Sequence, residues 1–155
     1  MFYFVVRYFR WAARVPGFPQ LFDTLLLTGT WIFRRSRLTA MEKCETEALR
    51  LPGVRLRIHR FGGVEFIDRL GRELGHLHGN GLLDACVGRQ AASKLLVDGG
   101  VRPHHVLPCS NWVSFQIEHQ AHLPKALELL TWHIPADPHQ GSRSTQSLSL
   151  ISETV

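Results

Sequence analysis

The chain has 155 residues, 45% of them hydrophobic and 20% charged, which suits one packed domain and excludes a wholly disordered or collagen-like chain. Its 18 Lys and Arg outnumber its 13 Asp and Glu. Three cysteines, Cys44, Cys86 and Cys109, stand far apart with no C-x-x-C spacing. A disulfide scaffold and a zinc or redox dithiol motif are therefore excluded, and buried thiols in a reducing compartment are expected.

The excess charge is concentrated. Residues 1–40 contain Arg7, Arg10, Arg14, Arg34, Arg35 and Arg37 against Asp23 alone, a net +5, so the remainder is balanced. Such a segment seeks an anionic partner. Phe2, Val5, Val6, Phe9 and Ala13 recur at helical spacing up to Arg14, with the arginines on another stripe and Tyr3, Tyr8 and Trp11 among them. That pattern predicts an interfacial amphipathic helix ended by Pro16 and Pro19. Arginines interrupt the apolar stretch that a secretory signal needs, so secretion is disfavoured and an intracellular location is expected, cytoplasmic or peripherally membrane-associated.

Leu21 to Phe33 is almost wholly apolar and is followed at once by Arg34 and Arg35. Its uncharged part, Thr24 to Phe33, is ten residues long, about half of what a bilayer crossing requires. Residues 1–38 are thus expected to meet an anionic membrane surface peripherally, by shallow or re-entrant association. The alternative is that this run packs on the domain as an extra helix. Nucleic acid is disfavoured as a partner, because phosphate binding does not explain so much aliphatic surface.

The body is expected over residues 40–132. Thr39 and Glu42 have capping-box spacing and predict a helix over 40–50. Residues 54–59 alternate strictly between apolar and polar, and 64–67 and 73–78 follow as two further strands of an antiparallel meander. Asp84 is placed to cap a helix running to about Asp98, where Gly99-Gly100 stops it. Residues 112–117 alternate again, with Val113, Phe115 and Ile117 inward, and Pro124 opens a last helix over 123–132. The predicted fold is α+β: a mainly antiparallel four-stranded sheet with packed helices, joined to a basic apolar N-terminal helical segment. Its predicted core is Val54, Leu56, Ile58, Phe66, Leu95, Phe115, Ile117, Leu127 and Leu130. Residues 135–155 turn to Ser, Thr, Gln and Pro and read as a disordered tail.

The motifs Leu51-Pro52-Gly53-Val54, Arg60-Phe61-Gly62-Gly63-Val64-Glu65-Phe66, Gly75-His76-Leu77-His78-Gly79, Leu83-Asp84, Pro103-His104-His105-Val106-Leu107-Pro108 and Trp112-Val113-Ser114-Phe115 resemble the luciferase-domain family. The resemblance covers about 51–132 and implies a small α+β domain. That family is unrelated to the flavin-dependent bacterial luciferases. Cys86-Val87-Gly88, Cys109 and Asn111 depart from its usual pattern.

His76 and His78, two apart on a predicted strand, project from one face with Cα atoms about 6.5–7 Å apart, together with Leu74. This is chelate spacing, and His104, His105 or Glu65 could complete a set for a divalent metal; the metal candidates are His76, His78 and His104. Without a metal, one histidine would carry protons while Glu65 orients it, which makes His76, His78 and Glu65 the catalytic candidates. His104, His105 and Trp112 are the ligand-binding candidates, although successive histidines in an extended segment point oppositely and only one should join the pair. The alternative is that these histidines pack at a half-buried sheet edge and that Glu65 pairs with Arg57 or Arg72. Gly79-Asn80-Gly81 lacks the Gly-Lys-Ser/Thr ending of a phosphate loop, so there is no nucleotide cofactor motif. The expected function is small-molecule binding at a histidine-lined site near a membrane. A non-catalytic interaction module and a metal-dependent tailoring enzyme are the alternatives.

Overall fold

The computed structural model describes residue 15 and residues 17–132; the predicted helix up to Arg14 and the predicted tail at 135–155 lie outside the described residues. Helix α1 (Phe18–Phe33) is followed directly by α2 (Arg35–Ala48). Then come β1 (Arg55–Ile58), β2 (Val64–Ile67), β3 (Glu73–Leu77) and β4 (Leu82–Cys86). Helix α3 (Arg89–Asp98), β5 (Arg102–Pro103), β6 (Trp112–Gln116) and α4 (Leu123–Thr131) complete the chain. All strand pairs are antiparallel, in the order β1-β2-β3-β4-β6-β5. The α+β class and the antiparallel sheet agree with the sequence; the sheet has six strands, not four.

The additional strands have different origins. Leu82–Cys86 was expected to begin a helix capped by Asp84, but it forms β4, paired on both sides by β3 and β6. A strand enclosed in this way is buried on both faces and loses the alternation that marks a half-exposed one. The helix proper starts after Gly88, whose φ of 82° breaks the strand. Strand β5 is two residues on the sheet edge, a place where a strand accommodates a proline.

Register sorts the side chains into two faces. Phe66 pairs with Gly75, Gly75 with Ala85, Leu77 with Leu83, Leu83 with Phe115 and Ala85 with Val113. These residues form one core with Ala40, Met41, Cys44 and Ala48 of α2 and with Leu123, Ala126, Leu129 and Leu130 of α4. Gly75 leaves room for that packing, since a Cβ there would lie 2.9 Å from Leu130 Cδ2. Of the predicted core, Leu56 and Leu127 are only half-buried, and Ile58 is 81% exposed because β1 is the outer strand and nothing covers its end. Helix α2 starts at Arg35 rather than at 40, so Thr39 is no cap; its hydroxyl donates to the Arg35 carbonyl.

Helix α1 packs on the domain at the hairpin ends. Asp23 and Thr30 are its buried residues. A Cβ at Gly79 would meet the Asp23 carbonyl at 2.6 Å and the Leu27 nitrogen at 2.7 Å, and one at Gly62 would meet Asp23 Cβ at 2.5 Å. Only glycine allows this approach. Among the described residues no helix is long and apolar enough to cross a membrane.

Candidate functional site

The face opposite the core carries a polar row: Glu65 pairs with His76, His76 with Asp84, and Asp84 with Ser114. Directly paired residues share a face, and His78 and Trp112, two positions along their strands, join them. At the centre is Asp84, with no exposed surface. Burying a lone carboxylate costs on the order of several kcal/mol, so this one must be heavily compensated.

The compensation is divided between its two oxygens. The Ser114 hydroxyl donates to Oδ1. Four imidazole nitrogens surround Oδ2: His78 Nε2 at 3.2 Å, His105 Nδ1 at 3.2 Å, His76 Nε2 at 3.4 Å and His104 Nε2 at 3.7 Å. Burial alone would raise the Asp84 pKa, but the bonds from His105, His76 and His78 outweigh it and hold the carboxyl well below the usual carboxylate range. The four histidine side chains are each 10% exposed or less.

A second ring of carboxylates holds the outer nitrogens. His76 Nδ1 donates to Glu73 Oε1 at 2.7 Å, and His78 Nδ1 lies 3.6 Å from Asp23 Oδ1. Asp23 is itself fixed by the Gly79 amide, which donates to Oδ1 at 2.8 Å. Glu73 reaches His76 because β3 has an extra residue: Phe66 pairs with Gly75 but Ile67 with Glu73. This bulge turns Leu74 into the core instead of onto the histidine face where the alternation placed it.

Burial opposes a charge on His76, but Asp84 and Glu73 outweigh it and push its pKa up to about 9. His78 is raised in the same way, burial being overcome by Asp23 and Asp84. His59, missed in the sequence, stacks on His76 with ring centroids 4.1 Å apart, and burial and that neighbour lower its pKa. His104 is lowered to about 4, first by burial. Its Nδ1 accepts from the Val106 and Leu107 amides at 3.1 Å each.

His76, His78, His104 and His105 therefore meet at one oxygen. Both of the successive histidines reach it because residues 105–106 bend rather than extend, which corrects the expectation that only one would. The Trp112 ring lies 5.6 Å from His76 and 5.9 Å from His104, closing one side. Glu65 stands in the row but is gripped by Arg57 through Nε (2.7 Å) and Nη2 (2.8 Å); the carboxylates that contact His76 are Asp84 and Glu73. Arg72 pairs with Asp68. Asp84, Asp23, Glu73 and Ser114 were not singled out as site residues in the sequence. One signal was present for Asp84, a single acid inside the apolar run Leu82–Cys86. A surface groove of about 810 Å³ lies elsewhere, along the start of α3 and against Trp132, and none of these histidines lines it.

The fold and this cluster define a small α+β protein with a histidine–carboxylate centre buried on the face of its sheet opposite the helix-packed core. Residues 71–131 match the family model of the Luciferase domain. The matched segment contains Glu73, His76, His78, Asp84, His104, His105, Trp112 and Ser114; Asp23, His59 and Glu65 precede it. No curated protein and no solved structure matches the chain.

Proposed function

We propose that this chain binds a divalent transition-metal ion through His76 Nε2, His78 Nε2 and Asp84 Oδ2, and uses it to bind a small molecule. The observation that carries the reading is the spacing about Asp84 Oδ2. Charge-assisted N–H···O bonds close to about 2.7–2.9 Å, as His76 and Glu73 do at 2.7 Å. The inner nitrogens of His76 and His78 instead stand off at 3.4 and 3.2 Å. Ligand atoms about 2.0–2.1 Å from a common metal ion are separated by about 3.0–3.4 Å, which fits. All three donor atoms lie within 4.8 Å of one another.

The groups behind the three donors fit as well. Glu73 and Asp23 face the Nδ1 atoms and leave Nε2 lone pairs inward, while Ser114 occupies Asp84 Oδ1 and leaves Oδ2. Two imidazoles and a carboxylate suit Fe(II) or Zn(II). Such an ion would supply Lewis acidity toward a carbonyl or a bound water. Convergence of these groups favours a binding or catalytic centre over a scaffold that lacks one.

Metal analysis of the full chain, purified without a polyhistidine tag, tests this. About one equivalent is expected in the wild type and little in His76→Ala or His78→Ala. Metal retained in both variants overturns the reading.

A second reading, peripheral attachment to an anionic membrane, is supported by α1. Its Phe18, Leu21, Leu25 and Ile32 form one exposed stripe, with Trp31 and Phe33 also exposed and the Arg35 guanidinium 5.4 Å from the Trp31 ring. Apolar surface bordered by arginines matches a headgroup interface. Full-length protein should float with anionic liposomes in low salt, and Leu25→Gln with Ile32→Gln should reduce flotation. Equal flotation of wild type and double variant overturns it.

A further inference from the structure

The histidines of the cluster differ in what holds their outer nitrogen. His76 and His78 direct Nδ1 at the acceptors Glu73 and Asp23, so in the neutral ring Nδ1 carries the proton and Nε2 has a lone pair to offer. His104 has the reverse arrangement. The Val106 and Leu107 amides both point at its Nδ1, 3.1 Å away, and a backbone N–H can only donate. Its Nδ1 is therefore the acceptor, and the neutral ring must carry its proton on Nε2, the atom that faces the cluster.

A metal ion at that Nε2 would require an imidazolate, and one at Nδ1 would collide with two amide protons. His104 is thus unsuited to be a ligand although it stands among ligands. Its Nε2 is 3.7 Å from Asp84 Oδ2, beyond the usual range of about 2.7–3.2 Å for an N–H···O bond. The ring is nevertheless held firmly. It stacks on His105 with centroids 4.6 Å apart, meets Trp112 edge-on at 5.9 Å, and is 7% exposed. A donor fixed in a buried site, aimed at the centre and not satisfied by the carboxylate there, is oriented for something that binds at the centre.

Building on the metal reading above, we infer that His104 is a recognition residue for the bound ligand: its Nε2–H donates to a metal-bound oxygen of a carboxylate-type molecule. The ion and a neutral donor would then hold one oxygen between them, which favours an oxygen that carries negative charge. Nitrogen or sulfur ligands would gain less from the same donor.

Two substitutions separate this role from metal ligation. His104→Asn keeps an acceptor where Nδ1 stands, preserving the Val106 and Leu107 bonds, but has no donor at the Nε2 position. His104→Gln extends an amide N–H to about that position. The full-length chain is loaded with Co(II), and acetate is titrated in while the visible absorption of the cobalt is followed. Wild type and both variants should bind one equivalent of Co(II). Acetate should bind about tenfold more weakly to His104→Asn, the worth of one buried hydrogen bond, and within about threefold of wild type to His104→Gln. Loss of Co(II) from both variants, with wild type loaded, would make His104 a ligand and overturn this inference while sparing the metal centre. Equal acetate affinity in wild type and His104→Asn would also overturn it. A wild type that takes up no Co(II) removes the metal reading and this inference with it.

Discussion

His76 and Glu73 are three residues apart on one strand, a separation that puts side chains on opposite faces, yet Nδ1 of one lies 2.7 Å from Oε1 of the other. The extra residue in β3 reverses the face of Glu73 and makes it the orienting carboxylate of the cluster. A carboxylate that holds the outer nitrogen of an imidazole fixes the orientation and tautomer of the ring. Glu73→Gln should therefore weaken metal binding by about 10–100-fold with little change in the far-ultraviolet circular dichroism. Competition with a chromophoric chelator measures this, and an unchanged affinity would leave Glu73 a structural partner only.

Asp84 is the common partner, and its loss should be more severe. In Asp84→Asn, two imidazoles with raised pKa values would lose the buried negative charge that stabilises them. Breaking such a buried set costs about 3–5 kcal/mol. Urea unfolding of the metal-free variant should show that loss, and metal analysis should find the site empty. A change under about 1 kcal/mol would mean that the histidines are neutral and held by packing.

The pH dependence of the metal-free protein follows from His76. Its pKa rises from 6.5 to about 9 on folding, so the folded state holds the proton more tightly than the unfolded chain does. The stabilisation is complete below about pH 6.5 and is lost as pH rises through about 9. The stability gap between wild type and His76→Gln, measured by urea unfolding in the presence of chelator, should shrink across that window. A gap that is constant from pH 6.5 to 9 contradicts it.

Gly79 tests the docking of α1. An alanine there would press on the Asp23 carbonyl and the Leu27 amide, which are helix backbone and cannot turn aside. Gly79→Ala should destabilise the protein by about 1–3 kcal/mol. It should also weaken metal binding, because the Gly79 amide positions the Asp23 carboxylate beside His78. Wild-type stability and metal affinity together would show that α1 is readily displaced.

Much of the scaffold was legible in the sequence because it rests on local periodicity. The alternation in residues 54–59, 64–67 and 112–117 became β1, β2 and β6, Pro124 lies in the first turn of α4, and His76 and His78 share a face as their spacing of two requires. Periodicity reports which side of an element a residue occupies, not what stands opposite. Leu82–Cys86 is enclosed on both faces, so its buried residues show no alternation and Asp84 reads as a helix cap. The convergence of His104 and His105 depends on the bend at residues 105–106, which no periodicity announces. Asp23 reaches His78 across 55 residues only because Gly62 and Gly79 let α1 approach the hairpin ends. The sequence by itself determined β1, β2, β3 and β6, the core-facing helices and the candidate histidines, since each is set by neighbours along the chain. Tertiary structure alone decided that a buried aspartate gathers those histidines and that Glu73 and Asp23 hold them from behind, because a charge in the interior is tolerated only where distant segments bring its partners.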